Sequence, residues 1–291
     1  MIKFRAQAGG GWRVDQPLTA MKFPAGEAHI KVPEDDGNYT PELAVWTADA
    51  DTLNDDLVTL AMYADYARQR GVKPRLFAPY FPGARQDRGN PFGARVYADL
   101  VNSMNFAEVT ILDPHSPVIV DLIDRVRVLD AAHVLTKSIF GRAEMVTNDW
   151  AGVIAPDAGA VTRTQRVADK LGLPMFKAEK HRDFETGKLS GFSCEDVPAE
   201  GRLLVVDDIC EGGGTFLGLA DAIGVGRDRL ALWVTHGSFS GRAGQLREVF
   251  GKIYTTDSHT GARREDVGAH VFPVLPYNSF GPFVKDESLK A

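Results

Sequence analysis

The stretch from Leu203 to Thr215, LLVVDDICEGGGT, constrains this chain more than any other. Leu203 to Val206 is a short apolar run rich in valine, which reads as a strand buried on both faces rather than a helix. Asp207 and Asp208 stand at its C-terminal end. Gly212, Gly213 and Gly214 then leave the backbone free to turn with its N–H groups bare. Thr215 and LGLADAI read as the first turns of a helix. Strand, carboxylates, glycine loop and helix N-terminus, in that order, make an anion cradle at the edge of a parallel sheet. The carboxylates suit sugar hydroxyls and the loop suits a phosphate. In isolation the same residues also suit an ordinary βα turn with two solvated acids. The spacing matches neither the GxxxxGKS/T phosphate loop nor the GxGxxG dinucleotide fingerprint.

The rest of the chain supplies the setting. Its 291 residues suffice for two domains of about 100–200 residues each. The net charge of −6 argues against nucleic acid or an anionic membrane as a main partner, so a phosphate site must be built from a few local cations and N–H groups. The N-terminus, MIKFRAQAGGGW, lacks the apolar core of a signal peptide, and no apolar run is long enough to span a bilayer. Cys194 and Cys210 form neither a disulfide framework nor a metal pattern, which suits a reducing cytoplasm.

Taken in order, the chain alternates strands with helices. Phe23-Pro-Ala-Gly-Glu27 and HIKV read as a loop leading into a strand; an exposed Phe23 beside Glu27 can stack on and hydrogen-bond a purine, and a turn with a buried Phe is equally readable. LAVWT is a strand. DDLVTLAMYADYARQRG is a helix, N-capped by Asn54 or Asp55 and ended at Gly71. The strand RLFAPYF leads into Arg85-Gln86-Asp87-Arg88, two arginines able to grip a polyphosphate or to form a salt-bridged surface loop. The helix ARVYADLVNSM and the strand EVTILD precede Asp113-Pro-His115, where His115 can contact phosphate or metal, or be structural. The pattern restarts around residues 135–150, which divides the chain into domains 1–143 and 144–291. The next strand ends at Asp157, a natural Mg²⁺ contact, and a helix carrying Arg163 in its first turn follows. Lys177 to Lys188, with Lys180 and Arg182, reads as a mobile basic hairpin or loop, able to close over a phosphate site. After the glycine loop come LALWVT with THGSFSG, then KIYTTDS and HVFPVLP as strands, and a tail from Asn278 without clear structure. The two halves repeat a theme of strand, terminal acid and helix.

Together these segments resemble the ribose-phosphate diphosphokinase (PRPP synthetase) family, within the type I phosphoribosyltransferase fold. FPAGE stands where the family has FSDGE, YFPGARQDR where it has PYxxYARQDR, and DPHS where it has DLH; NDDL, PDAG, the KxR of the basic loop, VVDDICEGGGT and THGSFSG keep the family's order and spacing over about residues 23–258. The resemblance implies an α/β chain of two tandem phosphoribosyltransferase-like domains with mainly parallel sheets. It implies transfer of a diphosphate from Mg-ATP to the anomeric hydroxyl of ribose 5-phosphate, giving PRPP and AMP. It assigns Phe23, Glu27, Arg85, Gln86, Asp87, Arg88 and His115 to ATP, and His115 and Asp157 to the metal. Lys180 and Arg182 are assigned to catalysis, and Asp207, Asp208, Glu211, Gly212, Gly213, Gly214 and Thr215 to the ribose phosphate. It also implies a homo-oligomer with a shared ATP site. Such chemistry depends on positioning and charge neutralisation more than on a covalent nucleophile.

Two departures leave alternatives open. Gly212 lacks the hydroxyl of the family's DTGGT, and Ala25 replaces the acid of FSDGE. The loosened loop suits either weaker ribose 5-phosphate binding or an acceptor extended beyond the 5-phosphate, such as ADP-ribose. A catalytically silent regulatory homologue is a second alternative. A phosphoribosyltransferase that consumes PRPP explains the cradle but not ARQDR, DPHS or a whole second domain.

Overall fold

The apolar runs of the sequence become the central strands of two separate sheets. They are seen in a computed structural model of the chain, which describes residues 1–8, 11–13, 18–34, 40–141, 149–182 and 189–275. The chain divides into two α/β units between Leu129 and Asp130.

The first unit contains β1 (Ile2–Ala8), β2 (Gly11–Arg13), β3 (Thr19–Lys22), β4 (Ala28–Lys31), β5 (Leu43–Trp46), α1 (Leu53–Gln69), β6 (Arg75–Phe77), α2 (Gly93–Ser103), β7 (Val109–Leu112), α3 (Pro117–Leu122) and β8 (Val126–Leu129). Its sheet runs β2-β1-β5-β6-β7-β8, parallel from β5 to β8 and antiparallel at β1 and β2. β5 and β7 are buried at every position, the pattern of strands covered on both faces. Helix α1 packs Leu57, Leu60, Tyr63 and Ala64 into the core beside Trp46, Leu76 and Ile111. Neither Asn54 nor Asp55 caps it: the N-cap is Thr52, without a side-chain cap bond, and both residues lie inside the first turn. There the acids face the positive end of the helix dipole. Asp56 is buried and accepts the Trp46 indole N–H at 3.0 Å.

The second unit contains α4 (Ala131–Ile139), β9 (Trp150–Ala155), α5 (Val161–Leu171), β10 (Met175–Arg182), β11 (Leu189–Cys194), β12 (Arg202–Cys210), α6 (Gly214–Ile223), β13 (Leu230–Gly237), α7 (Leu246–Val249), β14 (Lys252–Thr256) and β15 (His270–Phe272). Its sheet runs β11-β10-β9-β12-β13-β14-β15, parallel throughout except for β11 at the edge. Leu203, Val205, Leu230, Leu232 and Val234 on the central strands pack with Phe216 and Leu219 of α6 and with Phe250, the residue after α7.

The division at Leu129 and Asp130 falls ahead of the 143/144 boundary read from the pattern. The reason lies in α4. Asp130 caps it by accepting from the Ala132 N–H at 3.0 Å, and Lys170 of α5 reaches Asp130 at 3.2 Å. This helix therefore packs with the second unit. Helix α3 and strand β8, short and with little periodicity, went unread in the sequence. The basic stretch from Lys177 is not an open loop at its base: β10 and β11 pair as an antiparallel hairpin at the sheet edge, while residues 183–188 at its tip lie outside the described residues. The tail from Asn278 also lies outside them.

Candidate active site

Each unit gathers its polar side chains by the same device. Parallel strands present their C-terminal ends on one edge, and the loops that follow them carry the functional groups.

In the first unit β6 and β7 are adjacent and parallel. Arg85, Gln86, Asp87 and Arg88 lie in the loop after β6, and Asp113, Pro114 and His115 follow β7, so both clusters belong to the same sheet edge. The Gln86 N–H donates to the Gly83 carbonyl at 2.8 Å, and its own carbonyl accepts from the Ala94 N–H, which fixes the loop to the start of α2. Arg85, Gln86 and Arg88 are exposed. Arg88 lies 3.3 Å from Asp87, with its side chain 91% exposed against 13% for the acid. His115 is exposed, while Asp113 is buried in a left-handed conformation at φ 42°. Phe23 and Glu27 sit at the tip of the β3–β4 hairpin. The Phe23 N–H donates to the Glu27 carbonyl at 2.8 Å, and Gly26 turns the chain at φ 104°. Buried Ala28 and Ile30 anchor β4, and Lys22 reaches Asp55 of α1 at 2.7 Å. Both tip residues, Phe23 and Glu27, are exposed.

In the second unit β10, β9 and β12 lie side by side and bring four groups together. Strand β12 is longer than the apolar run suggested. It continues through both acids to Cys210, so Asp207 and Asp208 stand inside the strand and are buried, not solvated beyond its end. Their hydrogen-bonded backbone is held by β13, which pairs with β12 as far as Cys210 and Gly237. Arg163, from the first turn of α5, places Nη1 3.3 Å from Oδ1 of each acid. The same helix is fastened to β12 by the Thr164 hydroxyl, which donates to the Val206 carbonyl. Burial pushes the Asp207 carboxyl well above the usual carboxylate range, Asp208 beside it adds to the push, and Arg163 opposes it in part. Asp157 follows β9. Its Oδ1 accepts from the Ala160 N–H at 3.2 Å and caps the short turn into α5; its Oδ2 receives Lys180 Nζ of β10 at 2.5 Å. Arg182 pairs with Leu189 across the hairpin through its backbone, and its side chain lies outside the described residues.

The glycine loop follows β12 directly. Gly213 is the N-cap of α6, in the left-handed region at φ 78°, and a Cβ there would meet Leu246 at 3.2 Å. Gly212 has open space where a side chain would stand. Glu211 and Gly214 are exposed, and Thr215 is half-buried. The segment after β13 braces the loop: the Ser238 hydroxyl and the Phe239 N–H donate to the Cys210 carbonyl, and the Ser240 N–H donates to the Glu211 carbonyl. Burial, with Asp207 beside it, pushes the Cys210 thiol up to about 12, so this cysteine stays a packed, protonated side chain.

Arg163 is the functional group that the sequence reading left without a role. Its signal was position alone, a cation one helical turn after a strand-terminal acid; the contact with Asp207 and Asp208 depends on how α5 crosses β12. THGSFSG stood out as a motif, and its serines prove to be the brace of the glycine loop. Among the described residues no group of three His, Cys, Asp or Glu side chains converges as a metal cage. Mg²⁺ requires only one or two protein oxygens when phosphates and waters fill its shell, and Asp157 offers a carboxylate of that kind. His115 offers nitrogen, a poorer donor for so hard a cation.

Comparison with known proteins agrees with this geometry. The chain is 31% identical over 215 residues to the ribose-phosphate pyrophosphokinase of Cereibacter sphaeroides, a match covering 70% of this chain and 63% of that protein. Against the ribose-phosphate pyrophosphokinase of Aquifex aeolicus it is 30% identical over 228 residues, covering 76% of this chain and 71% of the relative. The chain belongs to the ribose-phosphate pyrophosphokinase family. The fold agrees: a phosphoribosylpyrophosphate synthetase structure from Mycobacterium smegmatis superposes with a TM-score of 0.73 at 23% identity, covering 94% of this chain and 89% of that one. No family model matches the chain. In this pyrophosphokinase family member no helix of the described residues is long and apolar enough to cross a membrane.

Proposed function

We propose that this chain transfers the β,γ-diphosphate of ATP to the anomeric hydroxyl of ribose 5-phosphate, giving PRPP and AMP. The observation that carries the reading is the buried acid pair, Asp207 and Asp208, set directly before a glycine loop and a helix N-terminus in a chain of this family. Two carboxylates accept hydrogen bonds from the ribose hydroxyls, and the loop N–H groups with Thr215 take the 5-phosphate. The sugar is thereby held with its anomeric oxygen presented to the donor. That oxygen forms a bond to the β-phosphorus of ATP, the bond from the β-phosphorus to the α–β bridging oxygen breaks, AMP leaves, and the hydroxyl proton passes to solvent.

Lys180 acts on the charge of the group in flight, because its ammonium is carried by the β10 strand beside Asp157 and needs only to exchange partners. Arg182, two residues on in β10, is the second catalytic cation. Asp157 would hold Mg²⁺ together with the phosphates, and the ion would supply charge neutralisation to the polyphosphate. Arg85, Gln86, Asp87, Arg88 and His115 bind the nucleotide phosphates. Phe23 and Glu27, exposed at a hairpin tip, take the adenine ring across a subunit interface, which makes the working enzyme a homo-oligomer.

The relatives favour ribose 5-phosphate as acceptor. The open space at Gly212 keeps ADP-ribose as the second acceptor to examine. AMP release from Mg-ATP, followed by ³¹P NMR with no acceptor, with ribose 5-phosphate and with ADP-ribose, tests the proposal. Release with ribose 5-phosphate supports it, a clear preference for ADP-ribose changes the acceptor, and no release with either leaves a silent homologue.

A further inference from the structure

The glycine loop stands in acidic surroundings. Asp207, Asp208 and Glu211 precede it within five residues, and the loop itself carries no cation. Arg163, the nearest guanidinium in the acid cluster, is already bound to the acid pair. A phosphate dianion placed over Gly212 to Thr215 would lie beside the exposed Glu211 and be offset by N–H dipoles alone. Coulomb repulsion of that kind requires a cation from elsewhere in the fold.

The structure provides one. Ser240 is tied to the loop through its N–H on the Glu211 carbonyl at 3.0 Å, and the short turn Gly241–Gln245 begins directly after it. Arg242, the second residue of that turn, extends its guanidinium toward the N-terminus of α6. Its Nη2 lies 4.0 Å from the point a Cβ on Gly214 would occupy. Arg242 is exposed and has no ion pair or hydrogen bond among the described residues. The N–H groups of Gly214 and Thr215, the first two positions of α6, precede the first intrahelical bonds, and α6 has no side-chain cap. Glycine at 214 keeps the space between those N–H groups and the guanidinium clear of a side chain.

We propose that Arg242 is a specificity-determining residue for the acceptor, its guanidinium closing the glycine loop from the side as the charged partner of the 5-phosphate. This rests on the reading of the loop as the acceptor-phosphate site. It explains how a loop that lacks the hydroxyl at Gly212 still discriminates a phosphorylated sugar: an arginine from the neighbouring strand–turn segment replaces a weak neutral donor by a charged one. Its planar fork suits two phosphate oxygens at once.

The test is calorimetric binding of ribose 5-phosphate to the full chain, alongside steady-state kinetics, for the wild type, Arg242→Ala and Arg242→Lys. Arg242→Ala is expected to weaken ribose 5-phosphate binding by about tenfold to a hundredfold, the scale of a lost charged hydrogen bond. KM for ATP should stay as it is, and Arg242→Lys should recover part of the loss. Ribose 5-phosphate affinity within about twofold of wild type in Arg242→Ala, on the scale of an uncoupled surface change, overturns the proposal. So does an equal loss for ribose 5-phosphate and ATP, which would mark a general disturbance of the fold. If the wild type binds ribose 5-phosphate but releases no AMP, the proposed function fails while the Arg242 effect on binding is still read. A wild type that binds no ribose 5-phosphate overturns both.

Discussion

Arg163 and Arg88 are both arginines at sheet edges, and they do opposite work. The side chain of Arg163 is 15% exposed and bound to two buried acids; that of Arg88 is 91% exposed and touches one acid at 3.3 Å. Around the acid pair and Asp157 the second unit thus holds its charges in contacts made by the fold, Arg163 with Asp207 and Asp208, and Lys180 with Asp157. The first unit holds Arg85, Arg88, Phe23 and Glu27 on loop and hairpin tips facing water. Buried charges must be compensated when the chain folds, so they are preorganised and tie activity to stability. Exposed ones cost little to place, so their loss changes binding and leaves stability alone.

The largest expected effect is at Lys180. Lys180→Ala should lower kcat by about 10²–10³-fold, the loss of one charge-stabilising group in the transition state. Its partly exposed pair with Asp157 contributes at most about 1 kcal/mol, so Tm should hardly move. A Tm drop that matches the kcat loss would place Lys180 with Arg163 as a structural cation and break the contrast inside the second unit. Arg163→Met should cost about 3 kcal/mol of stability by stranding the acid pair, read by urea denaturation, with activity lost alongside. Arg88→Ala, by contrast, should raise KM for ATP by about tenfold, on the scale of one charged contact, with an unchanged denaturation midpoint.

A smaller effect sharpens the same point through pH. The Asp207 carboxyl is raised in the folded protein, so the folded state holds that proton more tightly than the unfolded chain does. Its contribution is fully present below the unfolded carboxylate range of about 4 and is lost as pH rises through the higher folded value. Asp207→Asn removes that loss. The variant should melt higher than wild type at neutral pH, with the difference shrinking toward acid; thermal scans across pH would read it, and a variant less stable at neutral pH would mean that Arg163 compensates the ionised pair in full. The smallest effect is at Gly212. Gly212→Thr has room for its side chain and adds a neutral donor, so KM for ribose 5-phosphate should fall only a few-fold, the scale of one neutral hydrogen bond. Gly213→Thr would instead meet Leu246 in a left-handed turn and should destabilise the chain.

How much of this was legible in the chain varies with the range of the interaction. The buried strands were readable because parallel strands covered on both faces carry apolar runs, as β13 does from Leu230 to Val234. The glycine loop was readable because only glycine turns freely at φ 78°. The Thr52 cap of α1 was not, since Asn54 and Asp55 are the better capping residues and local preference gave way to the buried bond between Asp56 and Trp46. The place of helix α4 was not, because it is decided by contacts with α5, which no local pattern records.

The sequence by itself determined the strand, acid pair, glycine loop and helix, because each depends on backbone freedom and burial within a dozen residues. Only the tertiary structure decided which cation meets which acid. Arg163 lies 44 residues before Asp207, Lys180 lies 23 after Asp157, and Ser238 braces a carbonyl 28 residues earlier. Charges so far apart in the chain meet only where neighbouring parallel strands end on one edge, and that adjacency is a property of the sheet order.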